Sequence, residues 1–200
     1  MPDKPKIADV KQGLATADDL RFTRYWWEVP VEQIGTSREE TFQGKKWVPF
    51  AKGGKPFYHD IQLVVNWERD GEEIKSYRDA KGRLLSRPQN ESYYFRAGLA
   101  WADIVSEQRF DFRFLQSGCI FAAGAHALFS AEGRIWLLLG LGNSQLAWLC
   151  FRLMEPTAHH KHIGYVSKIP IKPSLVDAVN LQNLSRHGHD LLREWATGDE

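Results

Sequence analysis

The stretch KKWVPFAKGGKPFYHDIQLVVNWERDGEEIK, Lys45–Lys75, decides how the fold of this chain is interpreted. The pattern is extended from Trp47, and apolar side chains alternate from Ile61 to Trp67 at the spacing of a strand. The pair Asp70-Gly71 predicts a hairpin turn, because both central residues of a type I′ turn need a positive φ. The stretch therefore predicts a glycine-rich loop followed by a strand and a hairpin.

The loop AKGGKP, residues 51–56, does not match a nucleotide-binding P-loop. Such a loop needs a Ser or Thr after its lysine and a helix behind it, whereas here Pro56 and a strand follow. Residues 44–58 nevertheless carry lysines and aromatics without an acid: Lys45, Lys46, Lys52, Lys55, Trp47, Phe50, Phe57 and Tyr58. This composition suits close approach to a nucleic-acid backbone, and a solvated loop beside a core strand is the alternative.

A second segment, SRPQNESYYFR from Ser86 to Arg96, carries side chains that can recognise base edges. An Arg can pair with guanine, and a Gln or Asn can pair with adenine. Arg87, Gln89 and Asn90 stand beside a proline that would hold them out on a stiff loop. An ordinary turn is the alternative interpretation.

The composition of the 200 residues limits the classes of protein to which the chain can belong. A 43% hydrophobic and 26% charged chain with eight Trp can form one domain with a sizeable core. The net charge of +1 gives no global signal for nucleic acid, so such a partner would need a local basic face. Cys119 and Cys150 lie in apolar surroundings and are expected to be buried free thiols of a cytoplasmic protein.

No membrane or export signal is expected. The N-terminal MPDKPKIADV lacks the apolar region of a signal peptide. The apolar run IWLLLGLGNSQLAWLCF is interrupted by glycines and polar residues, so it predicts two buried helices rather than a membrane span.

The rest of the chain predicts an α+β fold, with a β-rich mixed-sheet body, two packed helices and a C-terminal amphipathic helix. The expected elements are a strand at Ile7–Val10, a helical turn capped by Thr16, Asp18 or Asp19, a polar surface loop at 35–44, a β meander at 94–130, two helices from Arg134 joined at Gly142-Asn143-Ser144, a short strand at 162–173 and a helix at 174–197.

Two metal-dependent chemistries were considered. Asp60 with Glu73-Ile74-Lys75 loosely fits a magnesium-dependent nuclease, but the predicted hairpin places Glu73 opposite Trp67 and far from Asp60. The cluster His159, His160 and His162 fits no zinc spacing, so a surface loop without metal is expected.

Several segments together resemble a known family. IADVKQGLATADDLRFTRYWWEV, KWVPFAKGG, VVNWERDGEEIK, RPQNESYYF, GLAWADI, GCIFAAG and LLGLGNSQ are similar, in this order, to the C-terminal part of large adenine-specific DNA methyltransferases. These are the BREX phage-defence methyltransferases of the PglX type and related type IIG restriction–modification enzymes. The resemblance runs from about Ile7 to Ile171. It implies a target recognition domain that binds duplex DNA and selects the site, while a separate N-terminal domain binds S-adenosylmethionine and methylates adenine N6.

The resemblance implies that residues 1–172 recognise DNA and that residues 173–200 form a docking or spacer helix against the methyltransferase catalytic domain, in cis or in trans. The family motif Gly-Leu-x-Thr-Gly is Gly13-Leu14-Ala15-Thr16-Ala17 here, without the second glycine. The catalytic tetrapeptide Asn/Asp-Pro-Pro-Tyr/Phe is absent from the sequence, so no chemistry and no cofactor are expected in this chain. An excised domain, or a split or truncated gene product, is expected.

The candidate DNA-binding residues fall into two groups. Expected phosphate contacts are Arg21, Arg24, Lys45, Lys46, Lys52 and Lys55, and candidates for base recognition are Arg87, Gln89, Asn90 and Arg96. The alternatives are a protein-interaction module of a defence complex and, less favoured, the magnesium-dependent nuclease.

Overall fold

Two four-stranded sheets form the body of the chain in a computed structural model, which describes residues 7–104, 109–130, 134–156, 159–172, 175 and 178–198. The strands are β1 (Ala8–Lys11), β2 (Thr23–Tyr25), β3 (Trp47–Ala51), β4 (Leu63–Asn66), β5 (Gly98–Ala102), β6 (Arg113–Leu115), β7 (Ile120–Phe121) and β8 (Ala125–Ser130). The first sheet has the order β1-β8-β5-β6, and the second has the order β2-β4-β3-β7.

The second sheet is mixed, as the sequence predicted. β4 pairs antiparallel with both β2 and β3, whereas β7 runs parallel to β3. The first sheet is antiparallel throughout. Together with the helices these sheets confirm the predicted α+β class.

The helices are α1 (Asp19–Phe22), α2 (Arg38–Thr41), α3 (Glu68–Lys75), α4 (Ile135–Gly142), α5 (Gln145–Met154), α6 (Ile163–Val166) and α7 (Val179–Thr197). Short 3-10 turns lie at Trp26–Glu28, Val31–Gln33 and Glu91–Tyr93. The predicted helix pair is confirmed as α4 and α5, and the Asn143 amide at their joint bonds the backbone of Phe112 in both directions. The predicted terminal helix is confirmed as α7; residues 174, 176 and 177 of that prediction lie outside the described residues.

The strand predicted through Leu63 and Val65 is confirmed as β4, but the hairpin at Asp70-Gly71 is wrong. Arg69, Asp70 and Gly71 do have positive φ, as a type I′ turn requires, yet they form a left-handed turn within α3. Tertiary contacts hold it: the Asp70 carboxylate accepts a hydrogen bond from Trp67 Nε1 at 3.1 Å and pairs with Arg38 at 2.5 Å. The strand therefore continues into a helix instead of a return strand.

Three other local predictions are corrected. The segment 162–173 begins with α6 instead of a strand, because the His162 ring accepts a hydrogen bond from the Gly164 N–H and caps the helix. The polar stretch 35–44 contains α2, which begins at a capping box of Ser37 and Glu40. The strands expected between 94 and 130 are present, but β7 leaves to join the other sheet, so they do not form one meander. Residues 105–108 of that prediction lie outside the described residues.

The N-terminal motif is inserted between two segments of the body. The Leu14 N–H donates to Phe121 O at 2.9 Å, and Ala15 exchanges backbone hydrogen bonds with Arg87. A Cβ on Gly13 would lie 1.9 Å from Phe121 O, so only glycine permits this approach. The strand predicted at Ile7–Val10 is confirmed, shifted by one residue, as β1.

Two apolar clusters form the core. One, around Phe22, Trp67 and Phe121, is buried mainly by the second sheet and by α3. The other, around Trp101, Phe110 and Phe151, includes residues of α4 and α5. Cys119 is buried and Cys150 is half-buried, and both are free thiols. Burial raises the pKa of the Cys119 thiol to about 12.

Candidate nucleic-acid interface

The loop after β3 carries two lysines in different environments. Lys52 forms an ion pair with Asp19, which also accepts a hydrogen bond from Thr16 Oγ1 at 2.5 Å. Lys55 is exposed and has no hydrogen bond or ion pair with any described residue. Gly53 and Gly54, between them, have φ values of 72° and 139°, which side chains other than glycine rarely adopt. Of the two lysines, Lys55 is therefore the one free to contact a ligand.

Trp47 brings two further basic residues together. The Lys46 ammonium lies 5.7 Å from the centre of the Trp47 ring, and the Arg24 guanidinium lies 5.9 Å from it. Arg24 also donates to the carbonyl oxygens of Leu20 and Thr23, both at 2.6 Å. These cations are held by the aromatic ring and the backbone, and no acid neutralises them.

Lys45 and Arg21 already have specific partners. Lys45 Nζ donates to Glu32 O at 2.5 Å. Arg21 donates through Nε and Nη2 to one oxygen of Glu73, at 3.1 and 2.9 Å, and this carboxylate raises the pKa of Arg21. Because both side chains are exposed, this pair contributes little stability and can exchange for a phosphate.

The second candidate segment is pinned to the N-terminal motif. The amide of Gln89 donates to Gly13 O at 3.2 Å, and the amide of Asn90 donates to Gln12 O at 2.9 Å. Both amides therefore already hold the loop in place. The Arg87 side chain is exposed and has no hydrogen bond or ion pair with a described residue, which leaves it available for recognition.

Arg96 belongs to a small basic cluster that the sequence alone did not indicate. The Tyr93 ring lies 4.9 Å from the Arg96 guanidinium and 4.7 Å from the Lys11 ammonium. Lys11 lies on β1, and its proximity to Arg96 depends on the fold; no local signal could have found it.

An exposed aromatic group lies at the end of β2. Tyr25 and Trp27 stack with ring centres 4.6 Å apart, and Trp26 meets Trp27 edge-on at 5.6 Å. All three side chains are about half exposed. Trp26 and Trp27 line a cleft of about 670 Å³ that also contains His189 and Arg193 of α7. The dense aromatics at residues 25–27 were a visible signal for such a surface.

The histidine cluster behaves in part as the sequence predicted. His159, His160 and His162 are exposed, and His160 Nδ1 lies 2.7 Å from Asp103 Oδ2. Lys161 between them is unexpectedly buried and pairs with Asp111 at 2.5 Å. Within the described parts of the chain, no group of three or more His, Cys, Asp or Glu side chains could hold a metal ion. Glu73 of the nuclease alternative is occupied by Arg21 and Asn66.

No single helix in the described residues is long and apolar enough to cross a membrane. The consecutive helices α4 and α5 together reach the required length, but they are bent by 69°.

Comparison with known proteins places the chain beside adenine-specific methyltransferases. No model of a known protein family matches it. It is 30% identical over 171 residues to the adenine-specific methyltransferase PglX of Lacticaseibacillus casei (strain Zhang), which covers 82% of this chain and 14% of that protein. It is also 30% identical over 166 residues to the adenine-specific methyltransferase BrxX of Escherichia coli O9:H4 (strain HS), covering 80% of this chain and 13% of that protein. The chain thus spans about one seventh of the relatives it matches, and it is homologous to one segment of the PglX and BrxX adenine-specific methyltransferases.

Proposed function

We propose that this chain is a target recognition domain that binds duplex DNA sequence-specifically for an adenine-specific DNA methyltransferase of BREX or type IIG restriction–modification systems. The observation that carries the proposal is the match of most of this chain to one segment of two adenine-specific methyltransferases. In this proposal, methyl transfer and S-adenosylmethionine binding belong to a separate catalytic part. DNA as the partner implies a cytoplasmic location.

Basic side chains without acidic partners support DNA as the ligand. Lys55, Arg87 and Arg96 are exposed, and Lys46 and Arg24 lie against Trp47. Such cations can neutralise backbone phosphates and fix the position of the domain on the duplex. Within this group, Arg87 is the strongest candidate for recognising a base, because the amides of Gln89 and Asn90 are used to hold the loop. Arg21, Lys45 and Lys52 would have to exchange their present partners for phosphates.

The salt dependence of duplex binding tests the proposal. Binding measured by fluorescence anisotropy should weaken steeply between about 50 and 200 mM salt, with a slope of about −0.9 in log K against log salt for each phosphate neutralised. The double variant Lys52→Ala/Lys55→Ala should reduce this slope by about one to two contacts, mostly through Lys55. Arg87→Ala should instead reduce the preference between duplex sequences. Lys81→Ala, in an exposed turn, serves as a matched control and should leave the slope unchanged.

The other candidate function is a protein-interaction module, and a hydrophobic face of α7 favours it. Leu184, Leu191 and Trp195 follow one another at helical spacing and are 68%, 51% and 81% exposed. Since the relatives extend far beyond the matched segment, the proposed occupant of this face is the remainder of the methyltransferase, in cis or in trans. Binding to that part without any duplex binding at low salt would show that the DNA function is wrong for this chain.

A further inference from the structure

A buried cation on β6 has no counter-charge. The Arg113 side chain is only 3% exposed, and its Nη1 and Nη2 atoms have no hydrogen-bond partner among the described residues. Burial lowers the pKa of Arg113 to about 10, which still leaves it charged at pH 7. Because a buried unpaired charge costs several kcal/mol, about as much as breaking a buried ion pair, such a group calls for a ligand or a function.

Arg113 lines a pocket of about 160 Å³ beneath the glycine-rich loop that follows β3. Lys52 and Gly53 of that loop line the same pocket, as do His59 and Asp60. This volume corresponds to about five water molecules at about 30 Å³ each, which is enough for a tetrahedral oxyanion and part of its hydration shell.

The loop is shaped to lie directly against the guanidinium. Gly54 has a φ of 139°, and a Cβ built on it would lie 2.6 Å from Arg113 Nε. Any side chain at Gly54 would displace Arg113. The two glycines thus let the backbone approach this arginine closely, although the loop does not resemble a nucleotide-binding loop.

The charges around the pocket favour an anion. Lys52 lies at its edge and the exposed Lys55 lies in the same loop. The neighbouring acids are already engaged: Asp60 accepts a hydrogen bond from Tyr58 Oη at 2.5 Å, and Asp111 pairs with Lys161. Asp19 is the partner of Lys52. His59 is kept neutral more easily, because burial and then Arg113 lower its pKa.

We infer that this pocket is an oxyanion site in which Arg113 binds a phosphate group, and that in the complex with DNA the group is a backbone phosphate. The DNA source rests on the function proposed above, whereas a free phosphate would use the same chemistry. A guanidinium offers paired N–H donors that match phosphate oxygens, and a charge-assisted contact of this kind is strong in a pocket with little water.

The first experiment uses the whole chain and inorganic phosphate. Phosphate should raise the melting temperature more than chloride at equal ionic strength, and in ¹H–¹⁵N spectra it should shift the Nε–Hε signal of Arg113. Arg113→Gln should abolish the phosphate effect on melting, and Gly54→Ala should weaken phosphate binding by about tenfold or more because it displaces the guanidinium. Lys81→Ala is the control. If Arg113→Gln does not fold, the wild-type Nε–Hε signal and Gly54→Ala still decide the matter. Equal effects of phosphate and chloride on the wild-type chain, with an unmoved Arg113 signal, would overturn the inference.

The second experiment separates the two sources of phosphate. If duplex DNA occupies the pocket, Arg113→Gln should weaken duplex binding by about tenfold at low salt, and duplex should displace inorganic phosphate. Phosphate binding at Arg113 without any duplex binding would support the oxyanion site while rejecting the DNA function. Salt-dependent duplex binding that leaves the Arg113 signal unmoved, and is unaffected by Arg113→Gln, would support the DNA function while rejecting this site.

Discussion

Ala17 stands where the resembling family has the second glycine of its Gly-Leu-x-Thr-Gly motif, and its backbone keeps the conformation that glycine favours. Its φ is 64°, in the left-handed region. The neighbouring contacts hold it there: Thr16 Oγ1 donates to Asp19, and Asp18 accepts from the Arg21 N–H at 3.0 Å and caps α1. The cap expected from the sequence is thus confirmed at Asp18, and the loop shape survives the loss of the glycine.

We therefore predict that Ala17→Gly stabilises the chain. The left-handed conformation costs an L-residue roughly 1–2 kcal/mol, while glycine loses roughly 0.5–1 kcal/mol more chain entropy on folding. Because Ala17 is exposed, its methyl group loses little packing. The free energy of unfolding in urea should rise by about 0.5–1 kcal/mol. Ala196→Gly, in an exposed position of α7, should have the opposite sign and cost about 0.5–1 kcal/mol. A loss of stability in both variants would contradict the strain at Ala17.

At the scale of elements, the sequence predicted what depends on periodicity and missed what depends on contacts between distant segments. The alternation before Trp67 predicted β4, and the apolar run with its Gly-Asn-Ser joint predicted α4 and α5. The positive φ at Asp70 was also foreseen, but Thr41 and Arg38 of α2 bind Asp70 and turn the chain into α3. Ten candidate DNA-binding residues were named from composition, whereas the buried Arg113 lay in a segment that predicted only a strand.

Two glycines in the packed pair α4 and α7 should respond in opposite directions to the same substitution. A Cβ on Gly140 of α4 would lie 2.1 Å from Ser185 Oγ of α7, whereas one on Gly188 of α7 meets nothing within 4 Å. Gly140→Ala should destabilise the chain by about 1–3 kcal/mol through overpacking. Gly188→Ala should stabilise it by about 0.8–1 kcal/mol, because alanine is the better helix former.

Urea unfolding measured by circular dichroism distinguishes these outcomes for α4 and α7. A near-neutral Gly140→Ala would mean that α7 moves away from α4 at little cost. In that case the terminal helix would be a loosely attached spacer rather than part of the body, which bears on the predicted division at residues 172 and 173.

At the scale of the whole molecule, stability should depend on pH through a buried histidine between β8 and the loop after β5. His126 Nε2 lies 3.0 Å from Asp103 Oδ1, and its Nδ1 is buried with no partner among the described residues. Burial lowers the pKa of His126, although Asp103 opposes the shift. Protonation would place an unsatisfied N–H donor in the core, so the folded chain binds this proton less readily than the unfolded chain.

The free energy of unfolding should therefore fall as the pH decreases below about 6.5, the usual pKa of an unfolded histidine. Above that pH, His126 is neutral in both states and its contribution is fully present. Below it, the unfolded chain takes up the proton first and is favoured. His59, whose pKa burial also lowers, adds to the same trend. Urea unfolding between pH 5.5 and 7.5 should show a smaller pH dependence for His126→Gln than for the wild-type chain, while His187→Gln, on the exposed side of α7, should keep the wild-type slope. Identical slopes for all three proteins would place the protonation elsewhere.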